Sequence, residues 1–161
     1  PREAEGARRM VLRLADIFRY FLQNEGALAP LSREMEIVRA YLEIEQSRLG
    51  PRLTVEIAVD DAALEVPIPV LSIQPLVENA IKHGVARHAG PGYVAVEVKA
   101  AGGLCITVRN SAGDGSEAGP GVGLQNVRRR LEICYGTGAT LDLRVGDGRA
   151  SAELRIPAAS A

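Results

Sequence analysis

Apolar residues recur at intervals of three and four along the first third of the chain, which is the spacing of an amphipathic helix. Residues 3–24 follow this spacing and predict one helix. A second helix is predicted over residues 33–49, with Ser32 as its N-cap and Glu34 near its positive end. Gly50, followed by proline, ends this second pattern.

The pattern then changes to strict alternation of apolar and polar residues, which predicts strands. Two more helical segments, near residues 76–85 and 124–135, interrupt the alternation. Glycine-containing turns join the last two pairs of strands, as in hairpins. The alternating segments are 53–59 (LTVEIAV), 93–100 (YVAVEVKA), 104–110 (LCITVRN), 139–145 (ATLDLRV) and 149–156 (RASAELRI). The predicted fold class is α+β: N-terminal helices, then a two-layer α/β sandwich with a mixed, mostly antiparallel sheet of about five strands.

Composition adds few constraints. The 161 residues carry a formal net charge of -1 and are 47% apolar, which predicts one packed domain, either alone or with a helical extension. The near-neutral charge gives no electrostatic basis for binding nucleic acid or a charged membrane surface. No apolar stretch approaches the length of a membrane span. Cys105 and Cys134 stand apart in apolar patterns, which predicts buried free thiols in a reducing compartment.

The segment LVENAIKHGV, residues 76–85, combines an apolar stripe with four polar side chains. Glu78, Asn79, Lys82 and His83 form two pairs four residues apart, and such pairs stack on one helix face. One interpretation is a surface helix with a Glu78–Lys82 ion pair, worth about 0.3–0.5 kcal/mol. Asn79 favours a second interpretation, a ligand-binding site, because asparagine is a poor helix former that a plain surface helix has little reason to contain. A carboxylate, an amide oxygen and two potential cations suit a site for Mg²⁺ and polyphosphate.

Two further motifs are weak when each is taken alone. Asn110, in VRNSAG, follows a predicted strand and is able to accept a hydrogen bond from an exocyclic amine, although asparagine is also a common turn residue. Gly119, Gly121 and Gly123 precede a helix, where glycines admit phosphates and the helix N-terminus favours anions. Glycines also simply form loops, and this stretch has neither P-loop nor Rossmann spacing.

Taken together, the order of these motifs resembles the GHKL, or Bergerat, ATP-binding fold of gyrases, chaperones, histidine kinases and mismatch-repair proteins. ENAIKHG resembles its N box, RNSAG its G1 box and GVGLQN its G2 box. A closer resemblance is to LytS/YehU-type sensor histidine kinases. It covers residues 7–157 and is carried by LSREMEIVRAYLEIEQSRLG, LSIQPLVENAIKHG and GVGLQNVRRRLEICYG.

The resemblance implies roles for the polar residues of the N box. Asn79 would coordinate the Mg²⁺ bound to ATP. Glu78 would orient a metal-bound water or support the phosphoryl-transfer geometry. Lys82 and His83 would face the phosphates.

The resemblance also implies an adenine site and a mobile lid. Asn110 stands where the superfamily usually has an aspartate that reads the adenine amino group, and Ala112 replaces the first glycine of the G1 box. These two departures predict a weaker bond to adenine and a more crowded pocket. Asp114 is an alternative carboxylate further into the loop. The remaining nucleotide contacts implied by the two glycine motifs are Gly113, Gly121, Gly123, Leu124 and Asn126.

The family phosphorylates a histidine just upstream of the first helix, and neither His83 nor His88 lies in that context. The chain also begins at Pro1 rather than methionine. We therefore expect it to be part of a longer kinase, with residues 1–50 forming part of the dimerisation and phosphotransfer helices and residues 51–161 the ATP-binding catalytic domain.

The implied function is to bind Mg-ATP and transfer the γ-phosphoryl group to a histidine outside this chain, and onward to a response regulator receiver domain. The chain alone is not expected to autophosphorylate. The N-terminal helices predict a homodimer, in the cytoplasm, with the full-length protein anchored in the bacterial inner membrane. Two alternatives stay open. One is an ATP hydrolase with Glu78 as general base, and the other is a degenerate dimerisation or partner-binding module, suggested by Asn110 and Ala112.

Overall fold

The computed structural model describes residues 28–112 and 122–158, so the helix predicted over residues 3–24 lies outside the described part. In chain order, the helices and strands of the described part are β1 (Leu28–Pro30), α1 (Leu31–Leu49), β2 (Leu53–Val59), β3 (Pro67–Pro69), α2 (Gln74–Asn79), β4 (Gly92–Ala100), β5 (Gly103–Ser111), α3 (Val122–Tyr135), β6 (Thr140–Gly146) and β7 (Arg149–Pro157). No helix among these residues is both long and apolar enough to cross a membrane.

Five strands form one mixed sheet in the order β2-β4-β5-β7-β6. β2 pairs parallel with β4, and the three other pairs are antiparallel. The parallel pair requires a crossover, and α2 lies within it. The hairpins β4–β5 and β6–β7 turn at the predicted glycines, where Gly102 and Gly148 both have positive φ. The predicted α+β architecture with a mixed, mostly antiparallel sheet is confirmed.

The three helices pack on one face of the sheet and share its core. Each strand contributes its alternate, inward-facing residues, such as Val94, Val96 and Val98 of β4. The helices contribute buried residues to the same cluster: Leu31, Met35, Val38 and Leu42 from α1, Leu76 and Val77 from α2, and Leu124, Val127 and Leu131 from α3. Helix α1 is therefore part of the core of the sheet domain rather than a separate packing unit.

The other face of the sheet is polar. Glu97 lies between Lys99 and Arg109, with nitrogen–oxygen distances of 2.8 and 3.2 Å. Such exposed ion pairs add little to stability, because water and salt screen the charges. Cys105 belongs to this face, so the prediction of a buried thiol is wrong for it, and Cys134 is only half-buried as well. Neither cysteine forms a disulfide, as predicted.

The start of α1 differs from the prediction. The helix begins at Leu31, one residue before the predicted cap, and Ser32 lies in its first turn without capping it. The loop before β3 supplies the missing acceptors, because the backbone N–H groups of Leu31 and Ser32 donate to Val66 O and Leu64 O at 2.9 and 2.8 Å. The same region holds a two-stranded ribbon of β1 and β3, which the sequence did not predict because both strands are three-residue and proline-containing.

The helix predicted over residues 76–85 is not one regular helix. α2 is α-helical over Gln74–Asn79, widens into a π-helical turn over Ala80–Gly84, and ends in a 3₁₀ turn over Val85–Arg87. A π turn adds one residue to the helical repeat and rotates the side chains that follow it. The turn does not separate Lys82 from Glu78, whose side chains lie 3.3 Å apart.

Candidate functional site

An open cleft lies between α2 and the ends of β5, β6 and β7. Its atom-free space is about 510 Å³, a figure that includes open solvent at the mouth. The side of α2 contributes Leu76, Asn79, His83 and Gly84, and α3 contributes Leu124. The sheet contributes Val108, Asn110, Ala112, Leu143, Arg144, Val145, Ala150, Ser151 and Ala152. Apolar residues predominate in the lining by number, and amide, hydroxyl and cationic groups stand among them.

The structure separates the four polar residues of the N-box-like segment. Asn79 and His83 line the cleft. Glu78 and Lys82 are not among its lining residues and form an ion pair of 3.3 Å instead. Gln74 Nε2 also donates to Glu78 Oε1 at 2.9 Å. The pair Asn79 and His83 thus belongs to the cleft. The pair Glu78 and Lys82 matches the other interpretation, an ion pair on the surface of a helix.

Asn110 is the buried polar group of the sheet side. It lies within β5 rather than just past it, and its side chain is 5% exposed. Its amide nitrogen donates to the backbone oxygen of Ser111 at 2.8 Å. This bond uses one of the two N–H groups of the amide, and the amide oxygen can accept a hydrogen bond from a ligand amine.

Gly84 allows α2 to lie close to Asn110. A Cβ atom at this position would overlap the Asn110 side-chain amide and lie 2.6 Å from the backbone oxygen of Ser111. A glycine is therefore required where the π turn meets the end of β5. This contact sets the distance between the helix and the sheet at the cleft.

The residues predicted to belong to the lid are only partly described. Leu124 is buried and lines the cleft, whereas Asn126 is exposed on α3 and is not among the lining residues. Gly123 lies in the first turn of α3, where a Cβ would come 3.6 Å from Pro75 Cβ. Gly113 and Gly121 lie outside the described residues.

Ala112, the second departure from the G1 pattern, is buried and lines the cleft. Its backbone N–H donates to Gly148 O at 2.9 Å, which ties the end of β5 to the β6–β7 turn. The alanine methyl therefore stands at the cleft wall, where the sequence predicted crowding.

Sequence reasoning missed the contribution of the β6–β7 hairpin. Arg144, Val145 and Ser151 line the cleft, but their segments show only the alternation of ordinary strands. The pairing of β5 with β7 places Ala150 opposite Asn110, and it is this long-range register that brings the hairpin to the site. No local motif in the sequence marks these residues.

The donor set fits Mg-ATP better than a protein-bound metal. Within residues 28–112 and 122–158, no group of three or more His, Cys, Asp or Glu side chains lies close enough to hold a metal ion. The cleft offers the Asn79 and Asn110 amides and the His83 imidazole. Mg²⁺ prefers oxygen ligands and keeps phosphates and waters among them, so an amide oxygen can complete its shell, although the described residues of the cleft lining offer no carboxylate.

Comparison with known proteins gives a consistent picture. Residues 2–53 match the family model "Histidine kinase". The chain is 34% identical to the sensor histidine kinase BtsS of Escherichia coli K12 over 138 residues, covering 84% of this chain and 25% of that protein. It is also 34% identical to the sensor protein LytS of Enterococcus faecalis over 173 residues, covering 97% and 29%.

Solved structures match the fold. The histidine kinase domain of a blue-light activated kinase from Erythrobacter litoralis aligns with a TM-score of 0.60 at 20% identity, over 88% of this chain and 70% of that one. A nucleotide-free catalytic domain of the histidine kinase ThkA aligns with a TM-score of 0.60 at 14% identity, over 81% of this chain and 95% of that one.

The chain spans 25% to 29% of the length of the two curated relatives named above.

Proposed function

Because this chain belongs to the LytS-type sensor histidine kinases, we propose that its cleft binds Mg-ATP and presents the γ-phosphoryl group to a histidine of the full-length kinase. The observation that carries this proposal is the meeting of Asn79 and Asn110 in one cleft, although 31 positions separate them in sequence. One amide suits a metal bound to phosphates, and the other suits the adenine amine. Both asparagines line the same cleft as Leu124 of α3, and the residues before α3 are rich in glycine.

Each residue of the cleft has a proposed task. Asn79 supplies an oxygen ligand to the metal, and His83 contacts phosphate oxygens from the next turn. Lys82, whose side chain is exposed, exchanges its ion pair with Glu78 for a phosphate. Bound magnesium neutralises charge on the phosphates, and transfer then depends mainly on position and electrostatics. Glu78 supports this geometry from outside the lining residues.

The adenine side and the lid have proposed tasks as well. Asn110 accepts a hydrogen bond from the adenine amine, with Ala112 at the adjacent wall. Leu124 packs against the nucleotide from α3. Gly113 and Gly121, together with Gly123 and Asn126 of α3, complete the proposed nucleotide contacts.

The wider role is part of the same proposal. Residues 1–50 belong functionally to the dimerisation and phosphotransfer region, and residues 51–161 to the catalytic domain, although α1 packs in the catalytic core. The acceptors are the phosphoacceptor histidine and then an aspartate of a response regulator receiver domain. The N-terminal helices form a homodimer. The chain works in the cytoplasm as part of a membrane-anchored kinase and contacts neither nucleic acid nor the membrane itself.

Calorimetric titration of the chain with ATP, in the presence and in the absence of Mg²⁺, tests the proposal. We expect saturable binding that strengthens when Mg²⁺ is present, because phosphate charge is otherwise unneutralised at the cleft. Absence of binding at millimolar ATP would remove the kinase proposal and favour a partner-binding module. The hydrolase alternative receives no support from Glu78, whose carboxylate accepts hydrogen bonds from Gln74 and Lys82 outside the cleft lining.

Asn110 is expected to select ATP over GTP. Its amide nitrogen lies against Gly84 and donates to Ser111 O, so we expect the amide oxygen to meet the base, where it suits the adenine amine and opposes the guanine carbonyl. We expect Asn110→Ala to weaken ATP binding about tenfold, as for loss of one buried hydrogen bond, and to leave GTP binding nearly unchanged. Competition between the two nucleotides, measured on both chains, checks this. An equal loss for ATP and GTP would contradict the assigned role.

A further inference from the structure

The turn that leads into α2, residues 71–73, is held by side chains from two other helices. Glu34 of α1 is 1% exposed, and its carboxyl oxygens accept hydrogen bonds from the backbone N–H groups of Leu71 and, at 3.1 Å, Ile73. From α3, Arg130 Nη1 donates to Leu71 O at 3.4 Å. Leu71 has a φ of 56°, a left-handed conformation that a leucine rarely adopts without such support.

Glu34 takes the place of a missing helix cap. No side chain caps the start of α2, although the first N–H groups of any helix lack partners within it. The N–H groups of Ser72 and Gln74 also act on the Glu34 carboxyl. Burial raises the pKa of this carboxyl, and the four backbone N–H groups oppose that shift only in part. The backbone N–H groups that act on the Glu34 carboxyl therefore all belong to residues 71–74.

The turn has direct consequences for the cleft. α2 runs from this turn to Asn79, and the π turn that follows carries His83. The positions of both side chains in the cleft therefore depend on where α2 starts. On the opposite side, Pro75 packs against Gly123 at the start of α3. Helices α1, α2 and α3 therefore meet at residues 71–75, at the start of the helix that carries Asn79.

We infer that Glu34 is a positioning residue for the nucleotide cleft: by holding residues 71–73, it fixes where α2 places Asn79 and His83. This inference rests on the proposed function, because it assigns Glu34 a task in nucleotide binding. It also couples α1 to the cleft, because a shift of α1 moves the Glu34 carboxyl and, with it, the start of α2.

The first test measures, in the absence of nucleotide, whether the position of the His83 side chain depends on Glu34. Glu34→Gln keeps the shape of the side chain but turns one acceptor into a donor that faces a backbone N–H. The control is Glu36→Gln, since Glu36 is exposed on the same helix and pairs with Arg33 at 2.9 Å. The chain has two histidines, so the ring signals of His83 and His88 are readily told apart by NMR. We expect Glu34→Gln to shift the His83 signal more than that of His88, and Glu36→Gln to shift neither.

The second test measures Mg-ATP affinity of the same chains by calorimetry, at a temperature where circular dichroism shows them folded. We expect about tenfold weaker binding for Glu34→Gln, because small displacements of positioned groups are costly, and no change for Glu36→Gln. A folded Glu34→Gln chain with unchanged histidine signals and affinity would overturn the inference. Failure of the unmutated chain to bind Mg-ATP would instead refute the proposed function, while the histidine signals still decide whether Glu34 positions α2.

Glu34→Asp covers the case in which Glu34→Gln does not fold. It keeps a carboxyl group that is one methylene shorter, and the same shift of His83 and a weaker Mg-ATP affinity are expected. Loss of the fold in both variants would also overturn the inference, because Glu34 would then be required for folding rather than for positioning.

Discussion

Replacing Asn79 with alanine is expected to weaken Mg-dependent ATP binding about a hundredfold, or by about 2.7 kcal/mol. Asn79 lines the cleft and supplies the proposed protein oxygen ligand for the metal. Without it, the metal loses that ligand, and no cluster of acidic or histidine ligands among the described residues replaces it. Titration of both chains with ATP, with and without Mg²⁺, measures the effect.

The same substitution should leave the fold intact, which separates binding from stability. Asn79 is half-buried at the end of the α-helical part of α2, and alanine has the higher helix propensity. We expect the free energy of unfolding to stay equal or to rise by about 0.5 kcal/mol. Asn79→Asp, which keeps an oxygen ligand, should retain most of the Mg²⁺ dependence. An Asn79→Ala chain that still binds ATP more tightly with Mg²⁺ than without it would refute the metal assignment.

Local patterns predicted much of this fold because they depend on side-chain periodicity. The alternation in residues 53–59 and 93–100 follows from one buried and one solvated sheet face, and the observed sheet has both. The turns at Gly102 and Gly148 were predictable because positive φ favours glycine. Asn79 was identified because an asparagine in a helical segment has no local reason to be there.

What the sequence did not predict depends on contacts between distant residues. Glu34 looks like an ordinary acidic residue of a first helical turn, and only the packing of α1 against residues 71–73 makes it a buried cap. Arg144 and Ser151 reach the cleft through the register of the sheet. The π turn after Asn79 was also missed, because the sequence of that segment is compatible with a regular helix.

Gly84→Ala is expected to be the most destabilising single change near the cleft. An added methyl would overlap the Asn110 amide and lie 2.6 Å from Ser111 O, which belongs to the backbone of β5 and cannot rotate away. Overpacking of this kind costs about 3 kcal/mol, which for a chain of this size lowers the melting temperature by roughly 10 °C. Thermal and urea unfolding of the variant measure both quantities. Gly146→Ala is the matched control, since a methyl there has no atom within 4 Å.

A double substitution tells which of the two contacts matters. Removing the side chain in Asn110→Ala eliminates the overlap with the amide but leaves the contact with Ser111 O. Gly84→Ala should therefore cost less in an Asn110→Ala background than in the native chain, yet still more than Gly146→Ala. Full rescue would mean that the side chain alone sets the spacing of α2 and β5. A Gly84→Ala chain as stable as the control would mean that α2 lies further from β5, and that the cleft is too wide for one nucleotide to reach Asn79 and Asn110 together.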